Sequence, residues 1–291
     1  MTFQLPKFPD ISDTAHKRVR GHALILAGSK EKSGASILCS LSSMRSGVGL
    51  CTLALPSAAH TIIKGQLINV MSEEIPSTDD SVFKNEGLDK ILSLFEGKSS
   101  MLIGPGLAPD SRRKTWIEKM LAQSLFPIVI DAQALSDLQT SISDISFEKH
   151  HVVITPHEGE MSKLTGLSVE EIHENRAKTA QTFAKKWQIH VILKGHHTVV
   201  ASPNGETWIN TVDHPCLSVA GTGDVLAGIL VSLLAQGMTM FEACQLSVYI
   251  HGRAGQKLGQ RMGVRGVLAS DLLPEIPYVL NELNQNQTTG A

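Results

Sequence analysis

The feature that most narrows the possible folds is a repeated alternation. Short aliphatic or β-branched runs, mostly ended by Gly, Pro or Asp, take turns with longer segments of helical periodicity. The short runs fall at 22–27, 50–55, 100–103, 127–130, 151–154 and 190–193, with a further one at 198–201. Helical patterns occupy 34–45, 82–95, 111–123, 169–187, 223–236 and 240–258, and another helix is expected to begin near Glu158. Parallel strands need helical crossovers and bury both faces, so this alternation predicts an α/β fold with a mostly parallel central sheet and helices on both faces. The 291 residues contain no internal repeat and no linker-like stretch. One domain over 1–283 is therefore expected, with the polar segment 284–291 as a frayed tail.

Composition removes several classes of function. There are 26 Lys plus Arg against 28 Asp plus Glu, for a formal charge of −2, and no extended basic block. Nucleic acid is not an expected partner, because neutralising its backbone needs clustered cations. The longest apolar run, 225–235, contains Gly228 and Ser232 and falls short of the roughly 20 residues needed to cross a bilayer. It reads as a buried helix, and no membrane association is expected. Segment 1–10 has two prolines and Lys7 but lacks the apolar centre of a secretory signal, which makes a cytoplasmic location the expectation. Cys39, Cys51, Cys216 and Cys244 are far apart and form no Cys-x-x-Cys pair, so they read as reduced, mostly buried thiols.

In open parallel sheets ligands bind beyond the carboxyl ends of the strands, which directs attention to the residues after each predicted strand. The sharpest signal lies elsewhere, at Ala220-Gly221-Thr222-Gly223-Asp224, which runs directly into the apolar helix. Unpaired amides at a helix start, uncovered by glycine, form an anion pocket suited to a phosphoryl group, and Asp224 in the first turn is placed to accept a hydroxyl proton. The structural alternative is a capped, closely packed helix start. Gly104-Pro105-Gly106 lets a ligand touch backbone or simply makes a tight turn. In Thr155-Pro156-His157-Glu158-Gly159-Glu160, Glu160 could hold Mg²⁺ through water and His157 could bond a substrate. Acidic residues favoured by the helix dipole explain the same segment, and for Glu158 that explanation is preferred. Lys194-Gly195-His196-His197-Thr198 offers a cation and backbone donors for nucleotide phosphates, or a charged β-turn. The segments Gly28 to Ala35 and Asp131-Ala132-Gln133-Ala134 complete the strand-end candidates. His150-His151 lacks supporting metal ligands, and Arg112-Arg113-Lys114 reads as a solvated helix face.

Taken in order, these segments resemble the ribokinase-like superfamily and, within it, the NAD(P)H-hydrate dehydratase family. The resemblance runs from His16-Lys17 to the helix around His251 and includes Gly34-Ala35 and Arg45-Ser46-Gly47-Val48-Gly49-Leu50. It implies a three-layer sandwich and a hydro-lyase that uses ADP or ATP, with Mg²⁺, to dehydrate the (6S) hydrates NADHX and NADPHX to NADH and NADPH. By matched position, Asp224 is the base, and the amides of Gly221, Thr222 and Gly223 hold the migrating phosphoryl group. Ala35, Gly106, His157 and Asp224 contact the hydrate. Lys194, Gly195, His196, His197, Thr198 and Gly223 bind the nucleotide, and Glu160 supports Mg²⁺ through water. The resemblance also implies a homo-oligomer, a tetramer, acting beside a separate epimerase for the (6R) form.

Two departures accompany the resemblance. The family stretch that usually reads Asp-Ala-Asp-Ala-Leu here has Gln133, which is expected to remove a carboxylate near the site, and the epimerase domain fused ahead of this one in some members of the family is not expected within these 291 residues. A vitamin-precursor kinase of the same fold and a nucleotide-binding protein of weakened activity are the competing functions. The sequence does not choose between ADP and ATP, or between the two hydrates.

Overall fold

The computed structural model describes residues 5–9, 16–139 and 141–289. Much of the N-terminal segment weighed as a signal, residues 1–4 and 10, lies outside the described residues, as do 290 and 291 of the tail. The strands are β1 (His22–Leu26), β2 (Leu50–Pro56), β3 (Met71–Ile75), β4 (Ser100–Ile103), β5 (Ile128–Ile130), β6 (Val152–Ile154), β7 (His190–Leu193), β8 (Val199–Ala201) and β9 (Thr207–Ile209). They form one nine-stranded sheet in the order β3-β2-β1-β4-β5-β6-β7-β8-β9. Pairing is parallel from β3 through β7, and β8 and β9 extend the sheet antiparallel, which confirms the mostly parallel α/β expectation.

Strand side chains alternate faces with a period of two, and the core divides accordingly. Ala23, Ile25, Leu53, Leu55, Leu102 and Val129 face one side. There they meet α1 (Ser33–Arg45), α2 (Ser57–Ile63), α9 (Thr222–Ala235), α10 (Met240–Met262) and α11 (Leu272–Thr289). Leu24, Leu26, Met101, Ile103, Ile128 and Ile130 face the other side. They meet α3 (Asn85–Ser93), α4 (Arg113–Gln123), α5 (Ala132–Leu138), α6 (Glu158–Thr165), α7 (Val169–Glu174) and α8 (Arg176–Trp187).

Helix α9 is the central element of the first face. From Val225 to Ala235 every residue is buried. At about 1.5–3 kcal/mol for each large aliphatic side chain buried, Leu226, Ile229, Leu230, Leu233 and Leu234 fix its position far more firmly than any cap could. Gly228 permits the crossing with α1, since a Cβ there would stand 2.2 Å from the Cys39 carbonyl oxygen.

Several local expectations change. The single helix expected over 169–187 is two, α7 and α8, broken at Asn175, whose backbone leaves the helical region (φ −128°, ψ 33°). Asparagine competes for backbone hydrogen bonds and favours such ends, and its Nδ2 donates to the Glu171 carbonyl. Residues 284–289 continue α11 as helix rather than a frayed tail, because extending a helix already docked through Ile276, Val279 and Leu283 needs no new nucleus. Arg113 is not on a solvated face. It is 1% exposed and pairs with Asp137 (Nε to Oδ2, 3.1 Å), while Arg112 chelates Asp110. All four cysteines are free and buried, as expected.

Candidate active site

The strand order reverses beside β1. The chain moves outward through β2 to β3, then returns to place β4 on the opposite flank of β1. Such a switch point opens a crevice beyond the strand ends. Across it the Gly28 amide donates to the Pro105 carbonyl (2.8 Å). Gly106, with φ +66°, passes so close to the start of α1 that a Cβ would lie 2.6 Å from the Lys32 carbonyl oxygen and 2.9 Å from Ala35 Cβ. The structure thus brings Ala35 and Gly106 together.

Helix α9 begins at the same end of the sheet. Gly221 caps it in the left-handed region (φ +92°), where a Cβ would press on Leu38 of α1 at 2.7 Å. The Val225 amide makes the first turn's bond to the Gly221 carbonyl (3.2 Å), so the amides of Thr222, Gly223 and Asp224 have no carbonyl one turn earlier to accept them. The Thr222 hydroxyl donates to the carbonyls of Leu217 (2.9 Å) and Val219 (3.1 Å), tying down the preceding loop and leaving its amide as the group available to a ligand.

Asp224 in this turn is largely buried. Burial first, and then the charge of Asp131, raise its carboxyl from an ordinary value of 3.8 to about 7, against a partial opposing effect of Lys194. Lys194 leaves the end of β7, its amide bonded to the Pro156 carbonyl (2.8 Å). Its ammonium reaches Asp131 Oδ1 at 2.8 Å and Glu160 Oε2 at 3.9 Å, and a Cβ on Gly223 would stand 3.6 Å from it. Burial alone would lower the Lys194 pKa, but Asp131 and Glu160 reverse that and hold it above the ordinary value. Glu160 is itself raised, by burial first and by Asp131, with Lys194 opposing. Three carboxylates therefore surround one ammonium.

His157 and Glu160 form a capping box at the start of α6. The imidazole Nδ1 accepts from the amides of Gly159 (3.0 Å) and Glu160 (3.2 Å), and Glu160 Oε2 accepts from the His157 amide (2.8 Å). This arrangement leaves Nε2 as the ring nitrogen not engaged by the cap, 3.7 Å from Glu160 Oε2. Glu158 takes the structural role preferred for it, bound to Arg176 and to His173 (3.1 Å).

A cavity of about 570 Å³ lies beside the start of α9, within the range of small-molecule sites. His157, Lys194, Gly195, His196, Thr198 and Gly223 line it, together with an apolar wall that includes Val212, Leu217, Leu226 and Val248. His197 is not among the lining residues. Its ring stacks on His196 and its amide donates to Asp213 (2.8 Å). Asp224, Ala35 and Gly106 also lie outside the lining, on the side of the α9 start nearer α1. A second cavity, among α6, α7 and α8, has none of these groups.

Sequence reasoning assigned no role to three residues here. Asp131 ends β5, is almost completely buried and anchors Lys194, whereas attention to that segment settled on Gln133. Gln133 instead donates to Asp137 Oδ1 (2.8 Å), completing the network around Arg113, so the expected loss of a carboxylate from the site does not leave the cluster without acid. Asn210 and His251 line the cavity, and burial keeps His251 neutral by lowering its pKa to about 4. A charged residue directly after a buried strand and a histidine within an apolar helix were the available signals.

Fold and site together define a ribokinase-like α/β protein whose most deeply buried helix opens on unpaired amides and a largely buried aspartate near the carboxyl ends of its strands. The model of the NAD(P)H-hydrate dehydratase family matches residues 23–278, and the chain belongs to that family. It is 34% identical over 97% of its length to a bifunctional NAD(P)H-hydrate repair enzyme of Moorella thermoacetica, covering 53% of that protein. It is 30% identical to the ADP-dependent (S)-NAD(P)H-hydrate dehydratase of Bacillus subtilis, covering 92% of this chain and 93% of that one. The chain therefore spans about half the length of the bifunctional relatives and nearly all of the dehydratase. The crystal structure of the B. subtilis ADP/ATP-dependent NAD(P)H-hydrate dehydratase, co-crystallised with ATP and Mg²⁺, superposes with a TM-score of 0.82 at 28% identity, covering 95% of this chain and 94% of that one.

Proposed function

We propose that this protein uses ADP or ATP to dehydrate (6S)-NADHX and (6S)-NADPHX, restoring NADH and NADPH. The observation that carries the proposal is the turn at Gly221-Thr222-Gly223-Asp224. It sets free amides and a desolvated carboxylate side by side, with Lys194 against the same turn. Hydroxide is a poor leaving group, and phosphate is a good one. Asp224 takes the proton of the ring hydroxyl as its oxygen attacks the terminal phosphorus, and the bond to the departing AMP or ADP breaks. The amides of Gly221, Thr222 and Gly223 hold the phosphoryl oxygens, where each such donor contributes about 10²–10³ in turnover. The ring nitrogen lone pair then expels phosphate, and loss of a neighbouring ring proton restores the dihydronicotinamide.

Lys194, Gly195, His196 and Thr198 hold the nucleotide in the cavity, with His197 beside them outside its lining, while Ala35, Gly106 and His157 frame the hydrate, His157 through its Nε2. The site's excess of carboxylate over ammonium and its hard oxygen donors suit Mg²⁺. Glu160 and Asp131 would hold that ion, Glu160 through water, and when bound it supplies neutralisation of phosphate charge. Among the described residues no helix is long and apolar enough to cross a membrane. The same proposal places the enzyme in the cytoplasm as a homotetramer working beside a separate epimerase.

Incubating the protein with NADHX, Mg²⁺ and either nucleotide should restore the reduced-nicotinamide absorbance. Absence of recovery, with a phosphorylated alcohol formed from a vitamin precursor instead, would replace this function with that of a kinase.

A further inference from the structure

Outside the proposed catalytic turn, the loop after β7 assembles a second set of donors. Neighbouring side chains on an extended chain point to opposite sides. Here His197 adopts the left-handed region (φ +53°), and its ring lies against that of His196, with centroids 3.9 Å apart and planes 28° from parallel. A non-glycine residue in that region costs about 1–2 kcal/mol, so a surrounding restraint must hold it. Asp213 is that restraint. Its Oδ2 accepts from the His197 amide (2.8 Å) and approaches His196 Nδ1 at 3.0 Å. One donor atom from each of His196, His197 and Asp213 falls within 4.8 Å of the other two.

We propose that His196, His197 and Asp213 bind a zinc ion at the rim of the cavity. Two imidazoles and one carboxylate are a characteristic zinc donor set, with the fourth position left to water. Mg²⁺ selects oxygen ligands and nearly ideal octahedral geometry, so this site is chemically distinct from the carboxylate cluster at Lys194. Entry is open, because the His196 side chain is 75% exposed. Asp213 is already pinned by the backbone of the loop that it would help to close around the ion, as a protein ligand held by its own hydrogen bonds should be. The proposal does not depend on the hydrate-repair function.

The test uses the full chain, untagged, stripped with a chelator and free of nucleotide so that no phosphate oxygen supplies a ligand. Zn²⁺ titration by calorimetry and equilibrium dialysis should find one ion per chain, undisturbed by excess Mg²⁺. Co²⁺ in its place should give visible bands of a four-coordinate centre. His196→Ala and Asp213→Asn should each weaken binding by at least about tenfold. His197→Gly, which relieves the backbone strain and so protects the fold, should weaken it equally. His150→Ala should leave it unchanged. Failure to bind one ion, or equal affinity in the parent and all three loop variants, would overturn the site.

Discussion

Asp224→Asn separates the electrostatic cost of the proposed base from its contribution to catalysis. The carboxyl is raised from 3.8 to about 7, chiefly by burial, so the folded protein holds this proton more tightly than the unfolded chain does. The destabilisation this causes is absent below pH 3.8, grows as the pH rises through the interval to about 7, and is complete above it. At about 1.4 kcal/mol per pH unit it amounts to about 2 kcal/mol at pH 5.5 and about 4 kcal/mol at pH 8. The neutral, isosteric amide escapes this cost. The variant's stability advantage over the parent, measured by urea denaturation, should therefore be larger by about 2 kcal/mol at pH 8 than at pH 5.5. Any packing difference cancels in that comparison. Hydrate repair by the variant should fall by about 10²–10⁴, and the parent's turnover should rise with pH through about 7 as the base ionises. A gap that is the same at both pH values, or smaller at pH 8, would refute the account of Asp224 as a desolvated base, and undiminished turnover would remove its proposed role.

Three further substitutions probe the framework. Lys194→Ala leaves the buried Asp131 without its cation and should lower stability by about 3 kcal/mol in denaturant titration; ADP affinity in calorimetry should fall about 30-fold, the equivalent of one charge-assisted hydrogen bond. Gln133→Asp places a second carboxylate one helical turn from Asp137 and removes the amide donor, so about 1–2 kcal/mol should be lost at pH 8 while ADP affinity stays unchanged. In Gly228→Ala the gain in helix propensity, under about 1 kcal/mol, is outweighed by a Cβ set 1.9 Å from Ser42 Oγ and 2.2 Å from the Cys39 carbonyl oxygen. A net loss of about 2 kcal/mol in thermal or urea unfolding is expected.

The sheet and its helices were legible because their signals are periodic. The apolar runs at 100–103 and 190–193 coincide with β4 and β7, and the helical pattern over 223–236 locates α9 to within a residue at each end. Elements with weaker patterns escaped notice. β3 reads Met-Ser-Glu-Glu-Ile and lies at the sheet edge, where only one neighbour restrains its composition, and α5 is only seven residues long. The motif at Gly221 was legible because free amides need small residues around them. The Asp131–Lys194 pair was not, since the partners are 63 positions apart and meet only when β5 and β7 lie in one sheet. The same holds for Arg113: its guanidinium looks like any surface cation until Asp137 and the Ala108 carbonyl are seen around it.

The turn that carries Asp224 is the tip of the most deeply buried helix, not part of a surface loop. Its position follows that of the helix, so any loss of packing around α9 displaces the carboxylate with it. Thermal inactivation of such a protein tracks global melting, and a methyl group lost far from the ligands, at Ile229 or Leu233, registers at the reacting atoms as a loss of aim.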